Sequence, residues 1–277
     1  MENSGGIELT DQQIDWLLGD LIDRYGYDFT EYSRASFKRR VTRLMDQDSF
    51  LSFAEFRYRL SQDALYLTRF VEQVTVNVTE MFRDPGFYRT LREEILPVLA
   101  TWPMIRIWHA GCSTGEEVIS LAILLKEANL LHKSVQYATD INPSVLERAR
   151  AAIYPLSQMK QYSENYILSG GRLDFSSYYT AQYNSAKFDD ALGKRVVLAT
   201  HNLVSDSVFN EFQLILCRNV MIYFDKSLQD KVMQLFYDSL ETLGYLAMGS
   251  KETIKFTSVA DKFKQLPNRE RIWRKIL

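Results

Sequence analysis

Cysteine and histidine are scarce in this sequence, and their scarcity argues against several kinds of site. The chain of 277 residues has 2 cysteines and 3 histidines. Both cysteines, Cys112 and Cys217, lie in or next to apolar runs, which favours small buried residues over a disulfide. The histidines do not follow the spacing of zinc ligands. The sequence therefore predicts neither a disulfide framework nor a metal centre.

Long apolar runs and a strong charge of one sign are also missing. No stretch approaches the roughly 18 consecutive apolar residues of a membrane-spanning helix, and the N-terminus does not resemble a signal peptide. The formal net charge is −2, which gives no general attraction to nucleic acid or to an anionic membrane. We therefore expect a cytoplasmic protein that binds no nucleic acid and does not insert into a membrane.

The first part of the chain predicts helices only. Thr10 to Gln13 and Ser52 to Glu55 read as capping boxes, and further helices are expected over 34–45 and after Asp63. We interpret residues 1–74 as a small all-α N-terminal domain. Residues 75–90 are then a linker or lid.

Strands and helices alternate over residues 91–277, which indicates an α/β domain with a mainly parallel sheet covered by helices on both faces. A long amphipathic helix is expected over Lys226–Leu243. Residues 155–194 interrupt the alternation, and we interpret them as a small inserted subdomain with a helix and an antiparallel ribbon. The predicted strands are Met104–Ala110, Val135–Thr139, Val196–Ala199, Leu214–Cys217, Gly244–Met248 and Arg271–Ile276.

The most informative stretch is the loop after the first predicted strand, Ala110-Gly111-Cys112-Ser113-Thr114-Gly115-Glu116-Glu117. A strand-to-helix turn of this kind brings backbone close to a bound cofactor. It is not a phosphate loop, because Glu-Glu stands where that motif has Lys followed by Ser or Thr. Two carboxylates would repel a diphosphate, whereas they suit a ligand with an amino group and sugar hydroxyls. S-adenosylmethionine is such a ligand.

Polar residues also follow the later strands, where open α/β sheets bind ligands. Asp140 could accept hydrogen bonds from ribose hydroxyls or serve as an acid at a helix start. Arg218 and Asn219 lie between apolar runs, where unpaired polar groups would be costly. Asn202 could bond an adenine edge or cap a turn. Tyr223, taken alone, is more typical of a core residue.

Two further segments allow two interpretations each. Thr75 to Asp84 could be an ordinary extended linker, or a lid over the cofactor with Arg83 directed inward. The second segment is a cluster of basic residues on the second predicted helix, which could be a solvated face or a surface for an acidic partner. Its members are Arg34, Lys38, Arg39, Arg40 and Arg43.

These motifs, in their order, resemble those of the chemotaxis receptor methyltransferases of the CheR type, and the resemblance covers nearly the whole chain. It depends on Asn77-x-Thr79-x-x-Phe82-Arg83, the Ala110–Glu117 loop, Ala138-Thr139-Asp140-Ile141, Asn202-Leu203 and Cys217–Phe224. Departures from the usual pattern are Val118-Ile119 for Pro-Tyr, Met81 for Phe, and Gly249-Ser250-Lys251-Glu252 for Gly-His-Ser-Glu.

The resemblance implies a class I S-adenosylmethionine-dependent methyltransferase fold, which is Rossmann-like. It implies that residues 91–277 bind S-adenosylmethionine, which becomes S-adenosylhomocysteine. Arg83 and Tyr223 would flank the transferred methyl group as the catalytic residues, and Glu117 is favoured over Glu116 as the cofactor contact. The implied cofactor contacts are Asn77, Thr79, Arg83, Gly111, Glu117, Asp140, Asn202, Leu203, Arg218 and Asn219.

The resemblance also implies a partner and a substrate. The chain would methylate glutamate side chains in the cytoplasmic domains of chemoreceptors, the methyl-accepting proteins. Apart from the resemblance, we expect a monomer. The basic helix, with Arg34, Lys38, Arg39, Arg40 and Arg43, would bind the acidic methylation region. Docking of a receptor C-terminal peptide on residues 155–194 is left open.

Three alternative functions differ in substrate or in catalysis. The chain could methylate another acidic protein or a small molecule in a signalling pathway outside chemotaxis. It could instead be a non-catalytic S-adenosylmethionine sensor, but such a module would lose Arg83 or Tyr223, and both are present. A nucleic-acid methyltransferase is disfavoured because no basic stripe crosses the C-terminal region.

Overall fold

The computed structural model describes residues 9–75, 79–267 and 269–276, which form two compact units. The helical unit comprises the described residues up to 75 together with Tyr223–Lys231. The sheet unit comprises the described residues of 79–222 and 232–276. No helix within these described ranges combines the length and the apolar character needed to cross a bilayer.

The helical unit contains α1 (Asp11–Tyr25), α2 (Arg34–Gln47), α3 (Phe53–Gln62) and α4 (Ala64–Val74). Both predicted caps begin helices, but only the first is a full capping box: the backbone N–H of Thr10 donates to Gln13 Oε1 and that of Gln13 donates back to Thr10 Oγ1. At α3 the N–H of Glu55 donates to Ser52 Oγ, while the Glu55 carboxylate accepts the N–H of Leu51. Four helices over the predicted segments confirm the all-α interpretation of this region.

Residues 223–231 pack with the helical unit, although the sequence placed them in the C-terminal domain. The N–H of Ser33 donates to the carbonyl of Tyr223 at 2.8 Å. The rings of Tyr32 and Phe224 meet edge to face with centroids 5.0 Å apart, and Lys231 pairs with Glu31 at 2.6 Å. Backbone, aromatic and ionic contacts together tie this segment to the helices.

The sheet unit holds two sheets. Its strands are β1 (Ile105–Ala110), β2 (Ser134–Asp140), β3 (Ile153–Pro155), β4 (Tyr179–Gln182), β5 (Ser185–Phe188), β6 (Val196–Thr200), β7 (Phe212–Cys217), β8 (Leu240–Met248), β9 (Phe263–Gln265) and β10 (Ile272–Lys275). The large sheet has the order β6-β2-β1-β7-β8-β10-β9. Its first five strands run parallel, and β10 is antiparallel to both neighbours. The predicted mainly parallel sheet is confirmed.

The helices of this unit are α5 (Pro85–Thr90), α6 (Leu96–Leu99), α7 (Glu116–Glu127), α8 (Pro143–Ala151), α9 (Met159–Leu168), α10 (Asp190–Gly193) and α11 (Lys226–Ser239), the last beginning in the helical unit. A π-helical turn, Leu91–Ile95, joins α5 to α6.

Side chains of β1 alternate between the two covered faces of the sheet. Ile105 and Ile107 enter the core cluster that contains buried residues of α7. Trp108 contacts Phe236 of α11 with ring centroids 5.3 Å apart. Helices cover both faces, so buried strands such as β7 have no solvent-facing side.

The structure differs from the predicted elements in two places and agrees with them in the inserted region. The long helix α11 ends at Ser239 rather than at Leu243, because the chain enters strand β8 at Leu240, which pairs with Phe212 of β7. Strand β9 was not predicted. Within residues 155–194, helix α9 and the antiparallel sheet β3-β5-β4 match the expected helix and ribbon.

Candidate cofactor site at the carboxyl ends of the strands

The loop after β1 is pressed against its neighbours at two glycines. Gly111 has a φ of 81°, and a Cβ there would lie 2.5 Å from Val220 Cγ2. Gly115 has a φ of 90°, and its Cβ would lie 2.8 Å from Ala149 Cβ. The N–H groups of Gly111 and Cys112 donate to the carbonyl of Thr139. The loop therefore follows the end of β2 closely, and side chains at the two glycines are excluded.

Asp140 joins the loops that follow β1 and β2. Its Oδ2 accepts the N–H of Ser113 at 2.9 Å, and its Oδ1 accepts that of Asn142 at 3.0 Å. Burial raises the pKa of Asp140, while the N–H donors oppose the rise. Ser113 Oγ and Asn142 Nδ2 are buried and have no hydrogen-bond partner among the described residues. Carboxylate oxygens with further lone pairs, beside unpaired polar atoms, suit a ligand with hydroxyl groups.

Glu117 is a carboxylate held by a buried histidine. His109 Nδ1 lies 2.9 Å from Glu117 Oε1, and Arg218 Nη1 lies 3.4 Å from Oε2. Burial alone would raise the pKa of Glu117, but the hydrogen bond with His109 and the charge of Arg218 outweigh burial and lower it. Burial raises the pKa of the neighbouring Glu116, although Thr114 Oγ1 donates to it at 2.6 Å. Glu117 is thus the better anionic site of the two.

Arg218 is buried where β7 ends, and it binds the segment before α5. Its Nη2 donates to Asp84 Oδ2 at 2.7 Å and to the carbonyl of Arg83 at 3.0 Å. Its guanidinium lies 4.1 Å from the ring centroid of Phe87. These polar partners explain how a charged residue can lie between apolar runs. They also place the carbonyl of Arg83 and the carboxylate of Glu117 next to the same guanidinium.

Glu252 organises the backbone that follows Arg218, and our sequence analysis assigned it no role. Its carboxylate accepts the N–H groups of Gly249, Asn219 and Val220 at 2.6, 3.0 and 3.0 Å. Asn219 has a φ of 62°. The available signal was an acid three residues after a glycine that ends a strand, which by itself indicates only a turn.

The remaining predicted contacts of the sheet unit lie in loops. Asn202 Oδ1 accepts the N–H of Val204 at 3.0 Å, and Asp206 Oδ2 accepts the N–H of Asn202, so Asn202 shapes its own turn after β6. Leu203 and Thr79 are partly buried. Asn77 lies outside the described residues.

The helical unit carries Tyr223 and the basic residues of α2, which differ in their surroundings. Arg34 pairs with Asp15 at 2.7 Å, and Lys38 pairs with Asp11 at 3.6 Å. Arg40 donates to the carbonyl of Val74, and its guanidinium lies 4.6 Å from the ring centroid of Tyr223. Arg39 and Arg43 are exposed and lie one helical turn apart. These two exposed side chains are the best placed to meet an acidic partner.

Comparisons with known proteins point to one family. The CheR methyltransferase all-alpha domain matches residues 12–75, and the CheR methyltransferase SAM binding domain matches residues 77–272. Cher3 of Pseudomonas putida is 47% identical over 266 residues, which cover 96% of this chain and 97% of that protein. A chemotaxis protein methyltransferase of Listeria innocua is 31% identical, covering 83% and 85%. Another, of Borreliella burgdorferi, is 30% identical, covering 90% and 90%. The matches confirm the predicted fold class and S-adenosylmethionine as the cofactor.

Replacing Glu252 tests whether its carboxylate holds the Arg218–Val220 backbone in place. Glu252→Gln should lower the free energy of unfolding by about 2 kcal/mol, because an amide NH2 would face a buried N–H donor. We expect S-adenosylhomocysteine affinity to fall about tenfold as the Arg218–Val220 backbone loosens. Urea unfolding and calorimetry measure both. The exposed Glu147→Gln is the control, and a Glu252→Gln protein that matched it in both measurements would contradict this role.

Proposed function

The chain belongs to the CheR methyltransferase family, and from this premise we propose that it methyl-esterifies glutamate side chains of chemoreceptors. Near-full-length relatives named chemotaxis protein methyltransferase support the choice of substrate. The observation that carries the proposal is the pair of acids at one edge of the sheet, the partly buried Glu117 at the start of α7 and the buried Asp140 at the end of β2. The two acids match the two polar ends of the cofactor, its α-ammonium and its ribose hydroxyls.

We propose that Glu117 accepts the α-ammonium of S-adenosylmethionine and that Asp140 accepts ribose hydroxyls. Ser113 Oγ and Asn142 Nδ2, which lack partners among the described residues, are available near Asp140 for the same ligand. The family resemblance supports the other proposed contacts, which are Asn77, Thr79, Arg83, Gly111, Asn202, Leu203, Arg218 and Asn219. For Gly111 only the backbone would take part, since a side chain there would strike Val220.

The reaction needs no general base, because a free glutamate with a pKa of about 4.3 is ionised at neutral pH. Bound S-adenosylmethionine supplies an electrophilic methyl group for in-line attack by a carboxylate oxygen. We propose that Arg83 orients the substrate carboxylate and that the Tyr223 hydroxyl helps to hold it. Positioning of this kind can supply roughly 7–11 kcal/mol of the barrier reduction. The grip of Arg83 should be loose, because a tight bidentate pair would weaken the nucleophile.

We propose that the acidic substrate docks on Arg39 and Arg43. Acidic residues of α1 already offset the charges of Arg34 and Lys38. The side chain of Arg40 is committed to the carbonyl of Val74 and the ring of Tyr223. Of the five basic residues named as substrate-binding, these three are therefore better suited to shaping the unit than to meeting a partner.

The proposed activity predicts a specific product. The protein, incubated with a chemoreceptor cytoplasmic fragment and S-adenosylmethionine labelled in the methyl group, should transfer label that mild base releases as methanol, because carboxylate esters are base-labile. Glutamine replacements at the receptor's methylation sites should abolish the label. Cofactor binding without any base-labile label on receptors would contradict the proposed substrate.

Arg83→Ala should separate turnover from cofactor binding. We expect kcat to fall about 10- to 100-fold because the substrate carboxylate loses its orientation, while S-adenosylhomocysteine affinity changes about twofold or less. Initial rates and calorimetry measure the two effects. Arg89→Ala, which removes an exposed guanidinium bound to the carbonyl of Leu168, is the control. Unchanged turnover in Arg83→Ala would remove Arg83 from the reaction.

Charge reversal on α2 should affect the protein substrate alone. The double variant Arg39→Glu/Arg43→Glu should raise the KM for the receptor about tenfold or more, since attraction to an acidic partner becomes repulsion. The rise should shrink at high salt. Lys194→Glu/Lys264→Glu makes the same change in net charge on exposed residues elsewhere. An equal effect in both double variants would argue against a docking surface on α2.

A further inference from the structure

His109 is a buried histidine that the proposed reaction does not use. It lies near the end of β1, on the same face of the strand as Ile105 and Ile107, and its side chain has 0% exposure. Burying a polar ring next to a packed core is costly unless both nitrogens find partners. In this protein both do, and one partner is Glu117.

The partners of the two ring nitrogens fix the direction of one hydrogen bond. Nδ1 lies 2.9 Å from Glu117 Oε1, and Nε2 lies 3.0 Å from Gln136 Oε1. An ionised carboxylate only accepts, so Nδ1 must carry a proton and donate. This holds whether the ring is neutral and accepts from the Gln136 amide in its rotated orientation, or cationic and donates to both neighbours.

Glu117 depends on this donor for its orientation. The hydrogen bond from His109 is 2.9 Å long and is shorter than the contact with Arg218, whose Nη1 is 3.4 Å from Oε2. Oε1 is tied to β1, while Oε2 keeps lone pairs for another donor. Burial alone would raise the pKa of Glu117, whereas the hydrogen bond with His109 helps to keep the pKa of this carboxyl below its usual value.

We infer that His109 is a positioning residue that fixes the Glu117 carboxylate for the α-ammonium group of the cofactor. The inference rests on the proposed contact between Glu117 and that ammonium. A carboxylate fixed before binding loses less side-chain freedom when the ligand arrives, so the gain appears as affinity. It should appear only for ligands that carry the amino-acid part, because His109 acts through Glu117 alone.

Two amide substitutions distinguish the role of Nδ1 from that of Nε2. In His109→Asn the side-chain NH2 takes the place of Nδ1 and can still donate to Glu117. In His109→Gln the NH2 takes the place of Nε2 and cannot reach Glu117. The affinities of S-adenosylhomocysteine and of 5′-methylthioadenosine, which lacks the amino-acid part, are measured by calorimetry. We expect His109→Gln and His109→Leu to weaken S-adenosylhomocysteine about tenfold. His109→Asn should stay within about threefold, and 5′-methylthioadenosine should bind all forms alike.

The outcomes also distinguish this inference from the proposed function. The role of His109 is supported if His109→Gln and His109→Leu lose affinity for S-adenosylhomocysteine only and His109→Asn keeps it. An equal loss of affinity for both ligands would mean general damage to the site, and no loss would mean that Glu117 needs no support. Either of these results overturns the inference. Both results would leave receptor methylation by the unchanged protein intact. Failure of that reaction with normal ligand affinities would instead remove the proposed substrate.

Discussion

A buried cation, the guanidinium of Arg218, is the constraint on which the rest of the candidate site depends. Its side chain is only 5% exposed, and it is neutralised by Asp84 and approached by Glu117. Leaving such a charge without partners would cost several kcal/mol. The segment before α5, the start of α7 and the end of β7 must therefore come together for the fold to be stable. The same convergence places the Glu117 carboxylate between His109 of β1 and Arg218 at the end of β7.

Alternation and capping patterns predicted most of the architecture. N-caps at Thr10 and Ser52 begin helices, because a cap is a local hydrogen-bond pattern that the sequence shows directly. The end of α11 was misjudged, because the amphipathic pattern continues past Ser239, whereas the backbone already enters strand β8 at Leu240 and pairs with β7. An Asp-Pro pair is a common helix start, but Asp84 has left-handed backbone and makes no side-chain capping bond to α5, and its carboxylate binds Arg218 instead.

The site was predictable in part, and the missing residues share one physical reason. Asp140 ends β2, and Glu117 lies in the first turn of the helix that follows the neighbouring parallel strand β1, so topology places both at one edge of the sheet. Glu252 and His109 hold other groups of the site in place, Glu252 through backbone N–H donors such as that of Asn219 and His109 through the Glu117 carboxylate at the start of α7. A single sequence carries no mark of such pairings. The basic helix shows the converse, since its five cations look alike in sequence, yet acids of α1 offset two of them.

The helical unit is not a continuous stretch of chain. Tyr223–Lys231 completes it by pairing Tyr32 with Phe224 and Glu31 with Lys231, and by placing Tyr223 against Arg40. A fragment that stopped at residue 75 would expose the edge of Tyr32 and leave Arg40 without its aromatic neighbour. The helices therefore cannot be exchanged between related proteins as a simple N-terminal cassette. Any chimera that keeps their packing must carry the distant stretch 223–231 with them.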